Sequence, residues 1–235
     1  MTQRGNRGQK TFFRQDDYEL YAQLLVEWCA RSRTEIWGYC FMPNHVHMIL
    51  VPSNVDGLRI PMGEAHKRYT ARINQREGWI GHLWQGRYFS CPMDEKHLIA
   101  AARYIETNPI RSGAVPRAED FQWSSARAHV LGADDGIVRA FPLLERVPDW
   151  QDLLRQGVDS NEMEVIRTHQ KTGRPLGTRE FLLDIEQALG RHLRKRRSGP
   201  RSRPELSEVS PELFQQAAGG FQGKPDHVGV VPLDA

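Results

Sequence analysis

The first half of the sequence predicts an α+β fold built on an antiparallel sheet. Three observations carry that expectation. Residues 34–42 (TEIWGYCFM) and 45–51 (HVHMILV) are rich in aromatic and β-favouring side chains. Only Pro43-Asn44 separates them, so the two runs form a hairpin, which is antiparallel by construction. Apolar residues on either side of the pair recur at helical spacing, so helices flank the strands.

In chain order, residues 1–11 are polar and loop-like, with 1–4 suited to the tail of a strand. Asp16 and Asp17 offer N-caps for a helix of about 15 residues. Its apolar stripe is Tyr18, Tyr21, Leu24, Leu25 and Trp28. Pro61 suits the first turn of a second helix reaching Arg76. Leu58, Met62, Ala65, Tyr69 and Ile73 supply its buried side. The stretch GWIGHLWQGRYFSCPM mixes rings with glycines and ends in an expected strand at 87–92. Asp94 caps a third helix over 95–108, ended by Pro109, because the residue before a proline is pushed out of the α region. The core order is helix, strand, strand, helix, strand, helix. Farther on, Ser124-Ser125 cap a short helix closed by Gly132, and 149–156, 161–169 and 178–189 read as helices. The expected division is a catalytic domain over 1–115, a helical extension over 116–190 and a tail over 191–235, basic and then acidic. The last thirty or so residues have the composition of a disordered segment.

A formal net charge of +3 on 235 residues does not announce a nucleic-acid binder. Its distribution says more. Residues 191–203 read RHLRKRRSGPRSR, and Arg191, Arg194, Lys195, Arg196 and Arg197 would draw a polyanion. The cysteines Cys29, Cys40 and Cys91 stand far apart, which argues against a disulfide framework or a zinc knuckle and suits a reducing cytoplasm. No apolar run approaches membrane-spanning length, and MTQRGNRGQK lacks the apolar region of a signal peptide. A cytoplasmic, nucleoid-associated protein is expected, with no membrane partner.

Four groups of residues can carry chemistry. His45 and His47 flank Val46 on a strand, so both imidazoles leave the same face. Their Cα atoms lie roughly 6.6 Å apart, a span that one metal ion can bridge; two polar positions on a half-exposed strand give the same pattern. Tyr104 and Asn108 share a helix face with His97. Asn108 offers a carbonyl oxygen to Mg²⁺ or Mn²⁺, and Tyr104 offers a phenol nucleophile. Taken without context, a half-buried tyrosine and an asparagine closing a helix before Pro109 is the stronger reading of that pair. Lys67, Arg68, Arg72 and Arg76 make a basic stripe, either a phosphate track or a solvated helix face. Trp79, His82, Trp84, Gln85, Arg87 and Tyr88 interleave rings with polar groups, which suits stacking on unpaired bases or an aromatic seal over the core.

The segments FMPNHVHMILVP, GHLWQGRYFS and AARYIETNPIRSGAV closely resemble the REP-associated tyrosine transposases, relatives of the single-tyrosine HUH transposases. The resemblance spans residues 2–131 and, more weakly, KTGRPLGTREFLLDIEQALGR. It implies a ferredoxin-like antiparallel sheet with helices on one side, the HUH endonuclease fold. It implies that His45, His47 and Asn108 hold Mg²⁺ or Mn²⁺ and that Tyr104 is the nucleophile. The metal is the candidate for favouring its phenolate, with His97 the lesser one. The implied activity is nicking and joining of single-stranded DNA at palindromic REP hairpins through a 5′-phosphotyrosine. Monomer and homodimer both stay open. One departure stands out. The family's first strand ends in a segment like TQRGN, which here follows Met1 directly, so a shortened first strand and an uncovered sheet edge are expected. Two rivals remain: an HUH nickase of the replication or relaxase type, and a hairpin-binding protein without catalysis.

Overall fold

The computed structural model describes residues 1–193. Its sheet has three strands, β1 (Thr2–Arg4), β2 (Thr34–Met42) and β3 (His45–Pro52), in the order β1-β3-β2. Both pairings are antiparallel, so the α+β class and the hairpin are as expected. The turn at Pro43-Asn44 sets Met42 opposite His45. A bulge between Ile36 and Gly38 inserts Trp37 into β2. β1 pairs Thr2 with His47 and Arg4 with His45, placing the histidine strand in the middle.

The outer edge of β1 is covered. Thr2 and Phe89 exchange backbone hydrogen bonds of 2.8 and 2.9 Å, and Gln85 N–H donates to the Arg4 carbonyl at 2.8 Å. Residues 83–89 therefore run beside β1, but only as isolated bridges. The strand expected at 87–92 does not form. Gly86, at φ 63°, turns the chain between the two bridges, so the pairing with β1 is not continuous.

Helix α1 (Gln15–Arg31) starts earlier than predicted. Its N-cap is Arg14, and Asp17 works from inside the first turn, accepting from the backbone N–H groups of Phe13 and Arg14 at 2.8 and 3.0 Å. Helix α2 spans Arg59–Glu77, closed by Gly78 in the left-handed conformation. Helix α3 (Glu95–Glu106) is capped by Asp94 as expected, but it stops two residues early. Thr107 breaks it, and Asn108–Arg111 forms a separate turn, α4, with Pro109 in its first positions, where a proline is tolerated.

Alternation along the strands splits the interior in two. Tyr39, Phe41, Val46 and Met48 join Tyr21 and Leu25 of α1 and Met62, Tyr69 and Ile73 of α2. Cys40, Met42 and Ile49 join Leu98, Tyr104 and Ile105 of α3. The helices expected on one side are thus divided between both faces, because the two faces of β3 and β2 are each apolar enough to need a cover.

The second core does not stop at residue 115. It takes in Ala118, and then Ala126 of α5 (Ala126–Leu131), Leu143 of α6 (Phe141–Leu144) and Trp150 and Leu153 of α7 (Trp150–Arg155). Ile166 of α8 (Ser160–Thr172) and Leu176, ahead of α9 (Arg179–Leu189), complete it. The helices after residue 115 thus share one interior with α3 and the sheet. Among the described residues no helix is long and apolar enough to cross a membrane.

Candidate active site

His45 and His47 leave the same face of β3, with ring centroids 4.9 Å apart and ring planes at 86°. Val46 and Met48 point into the opposite core. His45 Nδ1 lies 2.7 Å from Asn44 Oδ1, which accepts its proton and leaves Nε2 with a lone pair. That Nε2 faces the Asn108 carboxamide at 3.0 Å. His47 is 5% exposed, and its Nδ1 is buried without a hydrogen-bond partner among the described residues.

Burial, with Arg4 and Arg111 adding repulsion, pulls the His45 pKa down to about 4. Burial first, and then His45 and neighbouring cations, hold His47 well below the ordinary imidazole value. Both rings are therefore neutral at pH 7, the state in which imidazole binds a metal.

The helix break at Thr107 delivers Asn108. Thr107 Oγ1 donates back to the Arg103 carbonyl at 2.7 Å, closing α3, and α4 then starts on a new axis with Asn108 beside His45. Tyr104 sits in the last turns of α3, its ring centroid 5.9 Å from that of His47 and nearly perpendicular to it. The Arg111 guanidinium lies 4.3 Å above the Tyr104 ring. It donates to the Tyr104 carbonyl at 2.8 Å and to Thr107 Oγ1 at 2.6 Å, so α4 is tied back onto α3. His97 is not with this group. It is bound to Asp94 at the other end of α3, seven residues or about 10 Å of helix rise away.

The donors suit a divalent cation. Two neutral imidazoles and one carboxamide converge, and a buried nitrogen lacks a partner. The amide is oriented with Nδ2 toward His45; turning it end for end presents its oxygen, and the two orientations are nearly isosteric. Among the described residues there is no cluster of three or more His, Cys, Asp or Glu, so an oxygen ligand here has to come from Asn108 or from water.

The DNA-binding candidates are scattered. Lys67, Arg68 and Arg72 are exposed on α2, which covers the sheet face away from the histidines. Arg68 pairs with Glu64 at 3.3 Å and lies over the Trp28 ring. Arg76 leaves the stripe, because Asp17 and Glu77 bind its guanidinium. Trp84 is 6% exposed, packed among Phe12, Tyr21 and Tyr69 with the His66 ring stacked at 4.6 Å, so most of its ring serves the core. Arg87 and Arg191 are exposed, while Arg194, Lys195, Arg196 and Arg197 lie outside the described residues. Sequence reasoning passed over Arg111, although a cation one turn after the tyrosine–asparagine pair was there to be noticed.

Comparison with known proteins agrees with the resemblance. Residues 6–108 match the family described as Transposase IS200 like. A Haemophilus influenzae protein named as a REP-associated tyrosine transposase is 25% identical over 108 residues, 41% of this chain. The match spans 61% of that relative's length. A solved structure of a REP-associated tyrosine transposase bound to a REP hairpin aligns at 19% identity with a TM-score of 0.48, covering 59% of this chain and 82% of the other.

Proposed function

We propose that this chain, whose residues 6–108 match the family described as Transposase IS200 like, is a metal-dependent enzyme that nicks and rejoins single-stranded DNA through Tyr104. The observation that carries the reading is a convergence. Two neutral imidazoles from a strand and a carboxamide from a helix break meet beside a buried tyrosine.

His45, His47 and the Asn108 oxygen would hold Mg²⁺ or Mn²⁺, which supplies charge that polarises the scissile phosphate and offsets charge developing on it. Asn44 fixes the His45 tautomer through Nδ1, so its lone pair stays on Nε2. Tyr104 Oη attacks phosphorus in line. The Oη–P bond forms, the bond to the 3′ oxygen breaks, and that oxygen gains a proton while the phenol loses one. The resulting 5′-phosphotyrosine conserves the energy of the broken bond. A 3′-OH then attacks it, restoring a phosphodiester and the phenol. Arg111 holds the tyrosine backbone and places a fixed positive charge against the ring that carries the reacting oxygen. The substrate in this reading is single-stranded DNA beside a palindromic hairpin; a REP hairpin is what the similar solved protein is named as binding. The exposed Lys67, Arg68, Arg72 and Arg87, with Arg191 and the basic residues after it, are the phosphate contacts.

The test is incubation of a labelled hairpin oligonucleotide with Mg²⁺. A covalent protein–DNA adduct is expected, absent in EDTA. Tyr104→Phe should bind the hairpin and form no adduct. An adduct in the Phe variant overturns the nucleophile, and full cleavage in EDTA overturns the metal. Binding with no adduct from the unmodified chain leaves a hairpin-binding protein.

A further inference from the structure

The tyrosine helix carries a second buried polar group that the chemistry above does not use. Glu106 lies two residues beyond Tyr104, fully buried, and takes three donors from residues outside the family-matched region. Ser125 Oγ donates to Oε1 at 2.5 Å and His129 Nδ1 to the same oxygen at 2.6 Å. Trp150 Nε1 donates to Oε2 at 2.7 Å. Ser125 Oγ also accepts from Tyr39 N–H at 2.9 Å, which links the carboxylate to β2 and hence to the sheet bearing the histidines. The His129 and Trp150 rings also touch each other, tilted at 36° with centroids 4.5 Å apart.

A carboxylate is an odd occupant of the last turn of a helix, where the macrodipole disfavours negative charge. Burial adds a desolvation cost that only a full set of donors offsets. An apolar residue here would fill the core without either cost. What the carboxylate adds is direction: three donors on two segments, Ser125 and His129 at α5 and Trp150 on α7, can meet only when α3 has one rotation and one height. The helix is held elsewhere as well. Asp94, its N-cap, accepts from Thr178 N–H at 2.7 Å, and Arg103 pairs with Glu162 at 2.5 Å. Every one of these partners lies beyond residue 115.

We propose that Glu106 is a positioning residue, whose buried contacts with Ser125, His129 and Trp150 set the rotation of α3 and thereby aim Tyr104 at the His45–His47–Asn108 site. The extension is then part of the active-site frame. This inference rests on the proposed phosphotyrosine chemistry for its catalytic readout and on geometry alone for its structural one.

Glu106→Gln keeps the volume and replaces one accepting oxygen with a donor that faces donors. Displacement of a reacting group by about 1 Å can cost about 100-fold in rate. In the full-length chain, single-turnover cleavage at saturating hairpin should fall about ten- to a hundred-fold, with the dissociation constant for the hairpin within about two-fold of the unmodified protein. Amide hydrogen exchange should speed up over residues 103–108 and stay unchanged in α1. Trp150→Phe, which removes one donor and leaves a smaller aromatic ring in its place, should give a smaller change of the same kind, and it serves should the Gln variant fail to fold. Normal cleavage and unchanged exchange in a folded variant overturn the proposal. A rate and an affinity that decline together, with faster exchange everywhere, also overturn it, because that is loss of folded protein rather than misaim. If the unmodified chain forms no adduct, the phosphotyrosine reading fails. The exchange pattern then decides the positioning role by itself: local loosening of 103–108 supports it, and uniform or absent loosening rejects it.

Discussion

The two faces of β3 lie one residue apart and obey different rules. Val46 and Met48 point into a dry interior closed by α1, α2 and a packed set of rings in which Phe12 stacks on Tyr18 at 4.3 Å. His45 and His47 point to the other side, where neutral imidazoles, a carboxamide, a phenol and a guanidinium crowd together. The first face stabilises the fold by removing apolar area from water. The second also buries apolar side chains, and beside them His47 Nδ1 lacks a partner among the described residues, a group ready for a ligand. On β3 His47 and Met48 leave opposite sides of the pleat, so substitutions at these adjacent residues should have opposite signatures.

The largest contrast comes from neighbouring substitutions. His47→Ala should reduce cleavage to background while leaving the melting temperature nearly unchanged. Met48→Ala should cost about 2–5 kcal/mol of stability and leave cleavage per folded molecule intact. Thermal melts and single-turnover assays on both variants check this, and a His47→Ala protein that unfolds as readily as Met48→Ala would erase the distinction.

A smaller effect concerns acid. The folded-state pKa of His45 is depressed to about 4, and His47 lies well below its ordinary value. Depressed values mean that the unfolded chain binds more protons, so stability rises with pH in that window. The contribution is fully present above about pH 6.5 and is lost as pH falls toward 4. His66, depressed to about 3 by burial between Tyr21 and Trp84, adds to this from the other face. Chemical denaturation from pH 7 to 4 should show the decline, and His66→Phe with His45→Gln should flatten it. Divalent ions should add stability near pH 7 only through the histidine face.

The smallest effects belong to the outer surface of α2. Lys67→Ala and Arg72→Ala should each weaken hairpin binding and reduce the slope of log K against log salt by about 1. Arg76→Ala should instead lower stability with little change in that slope, because it frees the buried Asp17 carboxylate. Equal salt slopes for Arg72→Ala and Arg76→Ala would mean that the stripe acts as one unit.

How much of this was readable in the sequence follows from distance along the chain. The hairpin was legible because its signals are local: two alternating runs and a proline–asparagine turn. Asp94 announced α3 for the same reason. The meeting of His45 with Asn108 joins residues 63 positions apart, and periodicity places each on a face without bringing the faces together. The family resemblance supplied that step. Trp84 was undecided because a ring-rich loop reads alike whether it seals a core or stacks on bases; only the packing against Phe12 and His66 separates the two. Glu106 was missed, though a carboxylate in the last turn of a helix, against the macrodipole, was a visible anomaly. Its donors lie 19, 23 and 44 residues away, and no local rule links them.

That last separation has a consequence for the order of synthesis. A ribosome has made both histidines and Tyr104 well before it reaches Trp150, which follows Glu106 by 44 residues. At about 5–20 residues per second, that interval lasts roughly 2–9 s. During it the nascent chain carries the proposed nucleophile Tyr104 and both histidines but not the indole that completes the donor set around Glu106, so in the proposed reading the tyrosine helix is anchored at that carboxylate only after Trp150 has been added.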